Sequence, residues 1–134
     1  MKNPPLILIA DDDQDFKEVL SAKFLQAGYT VAEAKDGAEA LTKAKSLVPD
    51  LIVMDIQMPN VNGTEAVLEL KATPALKDIK IIFFTNLLYP WPGIKTENDK
   101  FAKELGAITF MKKSDELDSI VAKVRELLTP PAEE

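Results

Sequence analysis

Three consecutive aspartates, Asp11, Asp12 and Asp13, close the apolar run Leu6-Ile7-Leu8-Ile9-Ala10, and a second run, Leu51-Ile52-Val53-Met54, ends in Asp55. Apolar stretches with no polar alternation read as strands covered on both faces, which in a small protein points to a central parallel sheet. Ligands of such sheets sit beyond the carboxyl ends of the strands. Asp11, Asp12 and Asp55 should therefore converge at one edge, where like charges repel unless a cation or a proton joins them. A hard, oxygen-seeking Mg²⁺ suits that set. Taken singly, each aspartate has a plainer explanation, as a helix cap or a turn former.

Two further run ends, Phe83-Phe84-Thr85 and Phe110-Met111-Lys112-Lys113, bring a hydroxyl and an ammonium group toward the same edge. Alone, Thr85 is an ordinary strand-end threonine, and Lys113 a solvated lysine that adds little to a core. Together with the carboxylates they make an acceptor, metal ligands, a hydroxyl donor and a cation. Phosphoryl transfer needs those groups to stabilise charge.

The elements that must position these residues alternate regularly. After the first strand, Phe16, Val19, Leu20, Phe24 and Leu25 recur at helical spacing as far as Gly28, a helix-stop position. A strand is expected over 30–34, then a helix after Asp36-Gly37 with Leu41, Ala44 and Leu47 on one side, ended by Pro49. The third strand, 51–54, leads through a turn-rich loop, 59–63, into a helix over 64–72 with Val67 and Leu70 inward. The remaining elements are a strand over 79–84, a helix over 97–105 presenting Phe101 and Leu105, a strand over 108–111 and a helix over 115–128. Five βα units with short connections predict an α/β doubly wound parallel sheet, flavodoxin-like order 2-1-3-4-5, with helices on both faces. The switch point between strands one and three then holds Asp11, Asp12 and Asp55 side by side.

The 134 residues fit one domain, and 46% hydrophobic content supports a core. The expected division is a domain over 1–128 and a tail or linker start over 129–134. With neither cysteine nor histidine, disulfides, thiolate zinc sites and histidine acid–base chemistry are excluded. Net charge is −6 and Arg125 is the only arginine, so no direct nucleic-acid binding is expected. The amino terminus lacks a signal-peptide layout and no apolar stretch is of membrane-spanning length; a cytoplasmic location without membrane insertion is expected.

The acidic pair, Met54-Asp55-Ile56-Gln57-Met58-Pro59 with Gly63, then Thr85, Gly106-Ala107, Phe110 and Lys113 together resemble the receiver domain of two-component response regulators over nearly the whole chain. That resemblance implies that Asp55 is the phosphoacceptor, that Asp11 and Asp12 bind Mg²⁺, and that Gln57 gives a backbone carbonyl to the metal. It implies that Thr85 and Lys113 contact the phosphoryl oxygens and that Phe110 is an aromatic switch residue. Asp13 has no such role and is assigned to the first helix. The implied donor is a phosphohistidine on a histidine kinase or histidine phosphotransfer protein. The implied output is a repacked face of helix four, strand five and helix five, offered to a downstream protein or a second copy. Such a chain is a signalling switch, not an enzyme acting on other substrates.

Three positions depart from the family pattern: Asn86 where a very small residue is usual, Ser114 where proline is typical, and a long loop over 87–93. In that loop Tyr89 and Trp91 are either a satellite core or a partner contact, rigid aromatics being favoured interface anchors. Three other readings compete with the switch. A receiver-like protein-binding module would never be phosphorylated, which the retention of Asp11, Asp12, Asp55, Thr85 and Lys113 argues against. An aspartate-nucleophile phosphatase would resemble its relatives in carrying a second aspartate two residues after the first, where this chain has Gln57, an amide that cannot cycle a proton. A flavin site would meet a phosphate-repelling acidic pocket.

Overall fold

Each strand is short, the central β1, β3 and β4 (residues 6–10, 51–55 and 80–85) are rich in Ile, Val, Leu and Phe, and alternate positions along the strands feed two separate cores. In the computed structural model, which describes residues 2–58, 60–85, 98–113 and 115–128, the elements follow the expected βα alternation. They are β1 (Leu6–Ala10), α1 (Gln14–Gln26), β2 (Thr30–Ala34), α2 (Gly37–Leu47), β3 (Leu51–Asp55), α3 (Gly63–Ala72), β4 (Lys80–Thr85), α4 (Asn98–Leu105), β5 (Thr109–Lys112) and α5 (Leu117–Leu128). The strands form one parallel sheet, as the alternation predicts, in the flavodoxin-like order β2-β1-β3-β4-β5.

Leu8, Ile52, Met54, Ile81 and Phe83 face α2 and α3, where Leu41, Val67 and Leu70 are buried. Ile7, Ile9, Val53, Ile82 and Phe84 face α1 and α5, where Leu20, Phe24, Ile120 and Val124 are fully buried. Each such side chain contributes about 1.5–3 kcal/mol by leaving water, so the two cores fix the strand ends that carry the polar residues.

Three residues expected inward are not. Val19, Leu25 and Leu47 are 48%, 57% and 38% exposed. A helix lying on a sheet buries a narrow stripe, and a residue adjacent in sequence is turned by about 100° away from it. On α1 that stripe is Leu20 and Phe24. α5 starts two residues later than the spacing predicts because Asp115 closes a turn with Lys112, accepting from its N–H at 3.0 Å and donating to its carbonyl at 3.0 Å. Among the described residues no helix is long and apolar enough to cross a membrane. Expectations for Pro59, Asn86, the 87–93 loop with Tyr89 and Trp91, the Phe101 side chain, Ser114 and residues 129–134 lie outside the described residues.

Candidate functional site

Main-chain hydrogen bonds continue the sheet past its regular ends and hold the polar residues in place. Asp11 N–H donates to Ala34 O at 3.0 Å, Ile56 N–H to Phe84 O at 3.0 Å, and Lys113 N–H to Thr85 O at 2.9 Å. Asp13 then starts α1: its carboxylate accepts from Phe16 N–H at 3.1 Å, while its own N–H donates to Asp11 Oδ1 at 2.8 Å. The helix assignment of Asp13 is thus matched by a capping geometry, which contributes about 1 kcal/mol to helix stability.

Asp11 and Asp55 are buried and Asp12 is exposed, and oxygens of the three carboxylates lie within 4.8 Å of one another. Lys113 is not the solvated lysine that its position alone suggests. Its side chain is 7% exposed, with Nζ 2.6 Å from Asp11 Oδ2 and 3.4 Å from Asp55 Oδ2. Burial raises the Asp11 pKa against the opposing pull of Lys113. Burial first, then repulsion from Asp11, pushes Asp55 up to about 7. Burial alone would lower the Lys113 pKa, but the two aspartates raise it beyond the usual lysine range. One cation facing a group of carboxylates leaves the cluster with excess negative charge.

Thr85 is buried at the end of β4, one residue beyond Phe84, the register partner of Asp55. Phe110 is half-buried opposite Phe83 and packs against the α2/α3 core. Gln57 is exposed, and its N–H donates to Asp55 Oδ1 at 3.3 Å. The predicted residues Asp11, Asp12 and Asp55 are therefore in mutual reach, Lys113 meets Asp11 and Asp55, Thr85 stands at the adjacent strand end, and Phe110 lies earlier along β5.

Three features were not legible in the sequence. The Phe16 ring, expected only to fill the apolar stripe of α1, lies under Lys113, with Nζ 4.9 Å from its centroid and the Phe84 ring 6.0 Å away. The buried Asp36 caps α2 by accepting from Glu39 N–H at 2.8 Å and also accepts from Asn60 Nδ2 at 2.9 Å, tying the loop after β3 to α2. Those hydrogen bonds hold its carboxyl below the usual carboxylate range. Gly63 starts α3 so close to the strand end that a Cβ there would sit 2.0 Å from Asp55 O, and one at Gly37 would sit 2.0 Å from Val61 O. An aromatic in the first turn after an acidic cluster, and glycines flanking the Asp55 loop, are the available sequence signals. A cavity of 260 Å³ between Val48, Asp50, Lys80 and Leu128 lies at the opposite edge of the sheet, near the starts of β3 and β4.

The donor set fits a small hard cation. All donors are carboxylate oxygens, and buried Asp11 Oδ2, although ion-paired, has no hydrogen-bond donor aligned on it. Asp11, Asp12 and Asp55 are the residues that would hold such an ion.

Residues 7–125 match the family model described as the response regulator receiver domain. The chain is 31% identical over 126 residues to the alkaline phosphatase synthesis transcriptional regulatory protein PhoP of Bacillus subtilis, covering 91% of this chain and 48% of that protein. It spans about half the length, or less, of the first curated relatives it matches. Chemotaxis response regulator CheY4 of Vibrio cholerae has a similar structure, with a TM-score of 0.81 at 27% identity over 92% of this chain and 98% of that one. A CheX-CheY-BeF3-Mg+2 complex from Borrelia burgdorferi gives a TM-score of 0.81 at 25% identity, covering 95% of this chain and 91% of that one.

Proposed function

The chain belongs to the response regulator receiver domain family, whose members are signalling switches, and from that premise we propose that Asp55 accepts a phosphoryl group from a phosphohistidine. The observation that carries this reading is the convergence of carboxylate oxygens of Asp11, Asp12 and Asp55 within 4.8 Å, with the Lys113 ammonium paired to Asp11 and Asp55. A carboxylate oxygen of Asp55 forms a bond to phosphorus as the phosphorus–nitrogen bond breaks, and the departing imidazole takes up a proton from solvent. Asp11, Asp12, Asp55 and the Gln57 carbonyl would hold Mg²⁺, which would supply positive charge to the transferring oxygens. Lys113 pairs with one phosphoryl oxygen, and the Thr85 hydroxyl donates to another.

The product adds about −1.5 to −2 charges to an already acidic site. Thr85 moves toward them, Phe110 follows into the vacated space, and the surface of α4, β5 and α5 repacks for a downstream protein or a second copy. Tyr89 and Trp91 are proposed contacts for that partner. In this reading residues 1–128 are the receiver, residues 129–134 a tail or linker start, and the setting cytoplasmic. The Borrelia complex, with its beryllium fluoride and Mg²⁺, supports the same pairing of an anion and a metal here.

Intact mass after incubation with acetyl phosphate and Mg²⁺ tests the proposal. The native chain should gain the mass of one phosphoryl group and Asp55→Asn none. Undiminished labelling of Asp55→Asn would overturn the assignment, and no labelling of the native chain would favour a binding module that phosphorylation does not regulate.

A further inference from the structure

We infer that Phe16 is a positioning residue for Lys113, its ring holding the ammonium beside the carboxylates through an attraction that depends on neither Asp11 nor Asp55. The inference rests on the phosphoacceptor reading of Asp55. Lysine carries its charge on a flexible four-carbon stem, and both ion pairs of Lys113, with Asp11 and Asp55, are to carboxylates of the cluster itself. Here Nζ sits 4.9 Å from the Phe16 centroid, inside the distance of about 6 Å at which the negative face of a ring attracts a cation. The lysine side chain is 7% exposed, and this attraction is strongest when the cation is desolvated.

The ring itself is held from two sides. Phe84 lies against it at 6.0 Å with the planes tilted by 51°. At its backbone, Phe16 N–H donates to Asp13 Oδ1, and Asp13 N–H donates to Asp11 Oδ1. Asp11, Asp13, Phe16 and Lys113 therefore close a circuit, completed by the 2.6 Å contact of Lys113 with Asp11 Oδ2. When Asp11 turns to a cation it can no longer hold Lys113 alone. The ring keeps the ammonium in the site and, being uncharged, leaves it free to follow a phosphoryl oxygen on Asp55. A leucine at position 16 would fill the space against Phe84 but present no negative face.

Two readouts on the full chain test this. The first is the rate of acetyl phosphate labelling in Mg²⁺, by intact mass, for the native protein, Phe16→Leu, Phe16→Tyr and chains with mono- to pentafluorinated phenylalanine at position 16. Fluorination empties the ring face of negative charge while nearly preserving its shape. The second is the ring-current shift of the Lys113 ε-methylene protons in the unlabelled protein. Phe16→Leu should label about tenfold more slowly, equivalent to about 1.4 kcal/mol, and lose the upfield shift. Phe16→Tyr should restore both, and the rate should fall stepwise with fluorination. Native labelling by Phe16→Leu, an unchanged Lys113 shift in that variant, or a rate indifferent to fluorination would overturn the inference alone. A native chain that takes no label would overturn the reading of Asp55 and this inference with it.

Discussion

Lys113 Nζ stands 2.6 Å from Asp11 Oδ2, closer than the 3.4 Å that separates it from Asp55 Oδ2. The cation therefore mainly compensates Asp11. Asp55, also buried and repelled by Asp11, is left the less compensated carboxylate, with its pKa pushed up to about 7. That inequality has measurable consequences.

Between the ordinary aspartate value of 3.8 and about 7, the folded protein retains a proton on Asp55 that the unfolded chain has released. Stability therefore falls as pH rises through this window, because the native state binds more protons there. Asp11, also raised, acts with the same sign. Asp36, lowered, acts with the opposite sign but below the window, and the raised Lys113 acts only in strongly alkaline solution. Urea midpoints of the metal-free protein should fall from pH 5 to pH 8, and the fall should be smaller in Asp55→Asn.

Removing the cation leaves buried carboxylates facing one another. Lys113→Met should therefore destabilise the metal-free protein by about 3 kcal/mol at pH 8, in the range for breaking a buried ion pair, and by less at pH 5, where Asp55 is protonated. Paired urea titrations at the two pH values check this. An equal loss at both would show that packing, not charge, sets the cost.

Mg²⁺ should raise the melting temperature, since a cation relieves the repulsion among the three carboxylates. At ten times its dissociation constant the stabilisation is about 1.4 kcal/mol. Asp12→Ala should abolish the effect at little cost to the metal-free fold, because Asp12 is exposed. Thermal melts with and without Mg²⁺ measure both.

Gly63→Ala would place a methyl carbon 2.0 Å from Asp55 O, so α3 or the end of β3 must move. The expected cost is about 1–3 kcal/mol, as for an overpacked core. Labelling of Asp55 should slow with it, since the same shift displaces the proposed acceptor. Urea unfolding and intact mass read the two effects separately.

The sequence by itself determined the parallel sheet and the edge at which Asp11, Asp12, Asp55, Thr85 and Lys113 gather. Those are consequences of local pattern: uninterrupted apolar runs make buried strands, βα alternation makes them parallel, and parallel strands end on the same side. Asp13 as a helix cap was legible for the same reason, because capping is settled within three residues. Tertiary structure alone decided which carboxylate Lys113 approaches, that the Phe16 ring lies beneath its ammonium, that Asn60 joins Asp36, and that Val19, Leu25 and Leu47 face outward. Each of these depends on distances between elements remote in the chain, set by how α1, α2 and the β3 loop pack on the sheet. Hydrophobic periodicity reports that a face is buried, but which neighbour meets it is fixed only when the layers come together.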